Sequence, residues 1–169
     1  MSDEQHERAK RLKMQLALSD YQQQQQQREP RWPARTVTAE DTALLATLMY
    51  DAYHGTVDDE GETPEMVTAE MQSLLAGKYG AFLPGNSFVI EEQGRALSAT
   101  IVTLWEGAPL LAVAMTHPTA KNQGMAAELI GRSVRALAEN GYADLILFVT
   151  DGNAPAQHLY ERLGFVVED

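Results

Sequence analysis

Residues Lys121-Asn122-Gln123-Gly124-Met125-Ala126 join a strand, through the loop His117-Pro118-Thr119-Ala120, to a helix. The first amides of a helix have no intrahelical partner and the helix dipole is positive there, so such a junction takes an anion readily. Gly124 puts no side chain in the way of a phosphate, and Ala126 is the next smallest choice. Lys121 adds positive charge to a chain whose formal net charge is −11. The stretch has neither the Gly-Lys-Ser/Thr ending of a P-loop nor the Gly-x-Gly-x-x-Gly of a dinucleotide fold. By itself it reads more readily as an ordinary turn into a helix. A second stretch starts at Asn153, a capping residue, and carries Ala156, Leu159, Tyr160 and Leu163 on one helical face, with Gly164 as a left-handed stop. Alone it is a capped helix with an aromatic in the core. A third, Asp58, Asp59, Glu60 and Glu62 between Gly55 and Gly61, is either a solvated loop or a surface for a cation. The chain has no cysteine, which excludes disulfides, thiolate metal sites and an acyl-cysteine intermediate.

The elements that must position these residues follow from periodicity. Residues 35–38 predict a short strand. A helix capped by Thr38 or Asp41 runs to about His54, with Ala43, Leu44, Leu48 and Ala52 at helical spacing. Thr63 as cap and Pro64 at the first position open a second helix, with Met66, Met71, Leu74 and Leu75 behind them and Gly77 as its stop. Residues 87–92, 96–105 and 110–116 read as strands joined by turns at Gln93-Gly94 and Glu106-Gly107-Ala108-Pro109. Residues 124–140 are helical through Ala126, Leu129, Ile130, Val134 and Leu137. The nearly continuous apolar run 144–150 is a strand buried on both faces. A helix over 154–163 and a strand beginning at Gly164 complete an α/β order with a mixed sheet.

Residues 1–33 differ from the rest. Helix formers from Glu4 to Leu18, the run Gln22 to Gln27 and Pro30-Arg31-Trp32-Pro33 predict a partly helical or disordered arm that could bind a partner. Leu12, Leu16 and Tyr21 form one weak helical stripe. The division is an arm over 1–33 and a folded domain over 34–169.

Together the first two stretches resemble the GNAT superfamily of acetyl-CoA-dependent N-acetyltransferases. That family carries Arg/Gln-x-x-Gly-x-Gly/Ala after Val-x-Pro, which stands here as Thr116-His117-Pro118 and then Lys121 to Ala126. Its later motif, Asn-x-x-Ala-x-x-Leu-Tyr-x-x-x-Gly-Phe, is matched at Asn153, Ala156, Leu159, Tyr160, Gly164 and Phe165. The resemblance covers about 34–169. It implies a mixed, mostly antiparallel sheet flanked by helices, with the parallel strands 110–116 and 144–150 splayed to form the CoA cleft. Pantetheine would pair with the strand Ala114-Met115-Thr116. The pyrophosphate would lie on the amides of Gln123, Gly124, Met125 and Ala126, in the loop that holds Lys121 and Asn122. Asn153 would bound the pantetheine side, and Tyr160 would face the thioester sulfur as the acid for the leaving thiolate. Lys121 replaces the usual Arg or Gln and loses the fork geometry. Thr116 replaces a common Val. The further strand that most members place after Gly-Phe must come from elsewhere or be missing.

The expected function is direct transfer of acetyl from acetyl-CoA to a primary amine. The alternative is a GNAT fold that holds acetyl-CoA as a sensor or regulatory module without turnover. A plainly structural protein with well-capped helices is a third reading. Strand 110–116 holds no carboxylate, so the base is sought among Asp58, Glu60, Glu62, His117 and a water chain. His54 and His158 have no evident partner. Asp58, Glu60, Glu62 and Trp105 are the candidates for the acceptor side, which an acidic loop would bias toward basic small-molecule or peptide amines. No metal is expected. The acidity offers no basic footprint for nucleic acid. No run is apolar enough to span a bilayer and no signal segment is evident, so a cytoplasmic protein is expected, with a homodimer left open.

Overall fold

In Arg11-Leu12-Lys13-Met14-Gln15-Leu16-Ala17 the apolar residues recur at every second position, the period of a half-buried strand. A computed structural model, which describes residues 10–25, 29–56 and 58–168, places this segment as β1 (Arg11–Ala17) inside the sheet. Met14 and Leu16 are buried, as are Leu18 and Tyr21 of the following α1 (Leu18–Gln25). The expected arm over 1–33 is therefore corrected in its described part. Helix formers such as Leu, Lys, Met and Gln gave way to alternation once a partner strand was available to cover. The expectation for residues 1–9 and 26–28 lies outside the described residues, as do Val57 and Asp169.

The remaining strands are β2 (Arg35–Thr36), β3 (Ala81–Phe82), β4 (Phe88–Glu92), β5 (Arg95–Trp105), β6 (Ala108–Thr116), β7 (Asp144–Thr150) and β8 (Val166–Val167). The helices are α2 (Thr42–Tyr53), α3 (Pro64–Leu75), α4 (Met125–Glu139) and α5 (Ala154–Arg162). The sheet runs β2-β4-β5-β6-β7-β1-β8, and β3 pairs with β5 away from this path. Among the described residues these strands pair antiparallel except β6 with β7. β4, β5 and β6 form a meander. Its two tight turns hold Gln93-Gly94 and Glu106-Gly107 at positive φ, the pattern that matches strand twist.

Successive residues of β5 go to opposite layers. Ile101 enters the core made with α2 and α3, and Val102 the core made with α4 and β7. Both faces of the central sheet are thus covered, and Thr100 and Ser133 join hydroxyls at 3.0 Å between β5 and α4. β1 fills the far side. Its seven residues pair with all seven of β7, and Met14 and Gln15 pair with β8. β8, the strand expected after Gly164-Phe165, thus reaches the sheet through β1 and not through β7. Gly164, at φ +102, packs so that a Cβ would stand 3.3 Å from Leu16, which ties the end of the later motif to β1.

Candidate active site: a cleft between two parting strands

β6 and β7 touch as a ladder at one register pair, Leu110 with Ile146. Just beyond it, β6 slips against β5: Ile101 faces Val113 while Val102 faces Leu111, leaving Ala112 as an extra residue. A bulge bends and twists its strand, and here it does so where β6 leaves β7. The parting opens a cavity of about 990 Å³. Backbone groups of β6 past Ala112 face it without a β7 partner. Leu111, Ala112, Val113 and Ala114 line one wall, and Phe148, Val149 and Thr150 the other.

α5 closes the β7 side. The Asn153 side chain accepts from the Ala156 amide at 3.4 Å, capping the helix as the sequence implied. This fixes the phase of α5, so that Asn153, Ala156 and Tyr160 all line the cavity. The Tyr160 ring rests edge-on against buried Phe165, with ring centroids 5.8 Å apart. Burial, and after it the charge of Asp58, pushes the Tyr160 phenol up to about 12. Burial also raises the neighbouring Tyr53 phenol.

The acidic loop faces this cavity. Asp58, Asp59, Glu60 and Glu62 all line it, but they have different work. Asp59 accepts from the amides of Gly55 (2.7 Å) and Gly61 (2.8 Å), which hold its carboxyl below the ordinary range. Glu62 accepts from the Glu60 amide at 3.0 Å. These two shape the loop. Asp58 reaches across: its Oδ1 accepts from Thr150 Oγ1 at 3.0 Å and its Oδ2 from Asn153 Nδ2 at 3.3 Å. The loop after α2 is thereby fastened to the end of β7 and the cap of α5. Glu70, on α3, also lines the cavity and is bonded by Tyr79 Oη (2.6 Å) and Lys78 Nζ (2.9 Å).

The loop-to-helix junction lies outside the cavity lining, at the start of α4. Gly124 is the residue before the first turn, at φ +78, with no side chain to cap the helix. Asn122 is also left-handed, at φ +64, a conformation Asn tolerates better than most residues. Lys121, Asn122, Gln123 and Gly124 are exposed, while Met125 anchors the turn in a small core with Ala120 and Leu129. A Cβ added at Gly124 would meet nothing within 4 Å. Gly124 therefore leaves open space beside the first turn of α4.

Several expectations are repositioned. Met115 is buried in the α2–α3 core, so only its backbone is available to a ligand. Thr116 Oγ1 is 3.0 Å from Ser98 Oγ. Trp105 ends β5 opposite Ala108 and does not line the cavity. His117 also lies off the cavity lining; its Nε2 is 3.5 Å from Asp51 and its Nδ1 2.8 Å from Thr119 Oγ1. Sequence reasoning missed Arg11, Tyr53 and His54 in the lining. His54 stacks on Tyr50 and lies 3.5 Å from Asp59. The helical period of α2 placed Tyr53 and His54 near its end, but only the loop's return toward β7 turns that end into a wall. Arg11 was hidden by the arm reading.

The architecture of the site and sheet is that of the GNAT fold. The family model described as FR47-like protein matches residues 89–169, the span that holds β6, the junction, β7 and α5. A GCN5-related N-acetyltransferase from Sphaerobacter thermophilus is similar at TM-score 0.66 and 18% identity, over 94% of this chain and 48% of that one. A ribosomal-protein-alanine N-acetyltransferase from Brucella melitensis is similar at TM-score 0.61 and 22% identity, over 78% of this chain and 83% of that one. An aminoglycoside N-acetyltransferase solved with CoA gives TM-score 0.62 and 16% identity, over 84% and 93%. The chain spans about half the length of the Sphaerobacter protein and of a Drosophila protein of like fold. No curated protein matches the sequence. These likenesses give the chain the fold of the GNAT N-acetyltransferases, and the FR47-like match falls on the part of the fold that carries the cleft.

Proposed function

We propose that this chain transfers an acetyl group from acetyl-CoA directly to an amine. The observation that carries the reading is the parting of β6 from β7 beside Asn153 and Tyr160, with β6 leading on through the loop 117–124 into the first turn of α4. The junction fits the pyrophosphate of CoA through Gln123, Gly124, Met125 and Ala126, with Lys121 and Asn122 beside them. Ala114, Met115 and Thr116 offer strand backbone to the pantetheine, and Asn153 bounds it.

In the reaction a C–N bond forms and the C–S bond breaks. The amine must be neutral to attack, and its proton must leave. Asp58 is the carboxylate best placed to receive it, directly or through water, because its oxygens reach the Tyr160 side of the cavity and keep lone pairs beyond the two bonds they accept. Free backbone N–H groups of β6 can meet the oxygen as it gains charge. Tyr160 supports the departing sulfur, but by a hydrogen bond. Full proton transfer from a phenol near 12 to a thiolate whose acid is about 8.5 is uphill by about 5 kcal/mol. Glu60, whose side chain makes no hydrogen bond among the described residues, and Glu62 would bias the acceptor toward basic amines, small or peptidic. Trp105 is not part of this proposal, given its place on the fold.

The test is calorimetry with acetyl-CoA on wild type and Gly124→Trp, with thiol release measured over a panel of amines. The indole would fill the free space at the amides, and affinity should fall by more than about tenfold, 1.4 kcal/mol. Equal affinity in a folded variant would remove the cofactor assignment. Binding without thiol release for any amine would identify a non-catalytic module instead.

A further inference from the structure

Segment 30–33 of the expected arm runs over the start of α4. The backbone N–H groups of Arg31 and Trp32 donate to the two oxygens of Glu128, at 2.5 and 2.9 Å. Arg132 Nη2 donates to the Trp32 carbonyl at 2.9 Å. Trp32 Nε1 donates to the Gln123 carbonyl at 3.3 Å, and the ring packs on the core of Ala120, Met125 and Leu129. The strap is therefore bonded both to the first two turns of α4 and to the exposed loop before it.

Two consequences follow for an anion at this junction. The Gln123 carbonyl and the Gly124 N–H belong to one planar trans peptide and point in opposite directions. An indole that holds the carbonyl on the strap side aims the Gly124 N–H away from the strap. Glu128, a carboxylate in the first turn of α4, would repel a phosphate; the two amides of the strap face its oxygens and offset that charge. The backbone of Arg31 is fixed at the same place, and its side chain is exposed.

We infer that the Arg31-Trp32 strap is part of the CoA site, with Trp32 as a positioning residue for the Gly124 amide and Arg31 as a cation for the CoA phosphates. The inference rests on the proposed acetyl-CoA reading. It is tested on the full chain with Trp32→Phe, which keeps an aromatic ring and loses the N–H, and with Arg31→Gln. By calorimetry each should weaken acetyl-CoA about 3- to 10-fold, the range of one lost hydrogen bond or exposed charge contact. The Arg31→Gln deficit should shrink as salt rises. Pantetheine, which lacks the phosphates, should compete equally well against both variants and wild type. Wild-type acetyl-CoA affinity in both folded variants overturns the inference, as does an equal loss for pantetheine, which would mark general damage. Failure of wild type itself to bind acetyl-CoA overturns the cofactor reading, and this inference with it.

Discussion

Tyr160 has its role narrowed by its surroundings. Burial and the Asp58 charge favour the neutral phenol, so it remains a hydrogen-bond donor across the whole working range. Tyr160→Phe should lower kcat by about 100-fold, with little change in acetyl-CoA affinity, the low end of the cost of removing one donor aimed at developing charge. Measuring kcat beside calorimetric affinity checks the split; equal turnover would leave Tyr160 as a packing residue on Phe165. A second signature lies at high pH. A tyrosine whose folded pKa exceeds its unfolded value of about 10 contributes stability that is whole below that pH. The contribution is lost as pH rises through about 12. Thermal denaturation between about pH 10 and 12 should therefore fall less steeply in Tyr160→Phe than in wild type. A variant curve as steep as the wild type's would contradict the perturbed phenol.

At the scale of elements, β7, α3 with its Thr63 cap, α5 with its Asn153 cap and the helix after Gly124 were legible, because each is marked by a short-range signal. Long-range pairing was not. The motif residues Asn153 and Tyr160 could be named from sequence, but the bulge at Ala112 that opens the cleft is set by register against β5, which no local pattern announces. β1 was missed although its alternation is plain, because Lys, Met, Gln and Leu are also good helix formers and the neighbouring glutamines suggested low complexity. Its burial makes a sharp prediction. Met14→Ala removes a fully buried side chain from the core between β1 and β7 and should cost about 2–5 kcal/mol. That is a drop of roughly 5–15 °C in Tm for a chain of this size. Lys13→Ala, on the same strand but partly exposed and paired with Glu168 on the surface, should stay within about 1 kcal/mol. Calorimetric unfolding of both separates a structural strand from a dispensable arm. Near-equal Tm values would return residues 11–17 to the arm.

Over the whole molecule, the net charge of −11 sets a background that any cationic acceptor would feel, and the fold decides where that field is concentrated. Four carboxylates of one loop line the cavity together with Glu70. Asp59 and Glu62 spend their oxygens on loop amides, Glu70 is bonded to Lys78 and Tyr79, and Asp58 is held by Thr150 and Asn153. Glu60 can therefore be changed with least damage to the loop. Glu60→Gln and Glu40→Gln remove the same unit of charge from the molecule, one at the cavity and one on the exposed start of α2's approach. If only net charge attracts the acceptor, both variants should raise KM for a basic amine equally and slightly. If the cavity focuses the field, Glu60→Gln should raise it about 2- to 5-fold and Glu40→Gln hardly at all, with acetyl-CoA affinity unchanged in both. Exposed charges more than about 8 Å apart are screened at physiological ionic strength. The wild-type KM for that amine should therefore climb with salt, and the Glu60→Gln curve should climb less. Parallel salt curves for wild type and Glu60→Gln would mean that the loop is solvated surface, and that acceptor choice is made deeper in the cleft, between Asp58 and Tyr160.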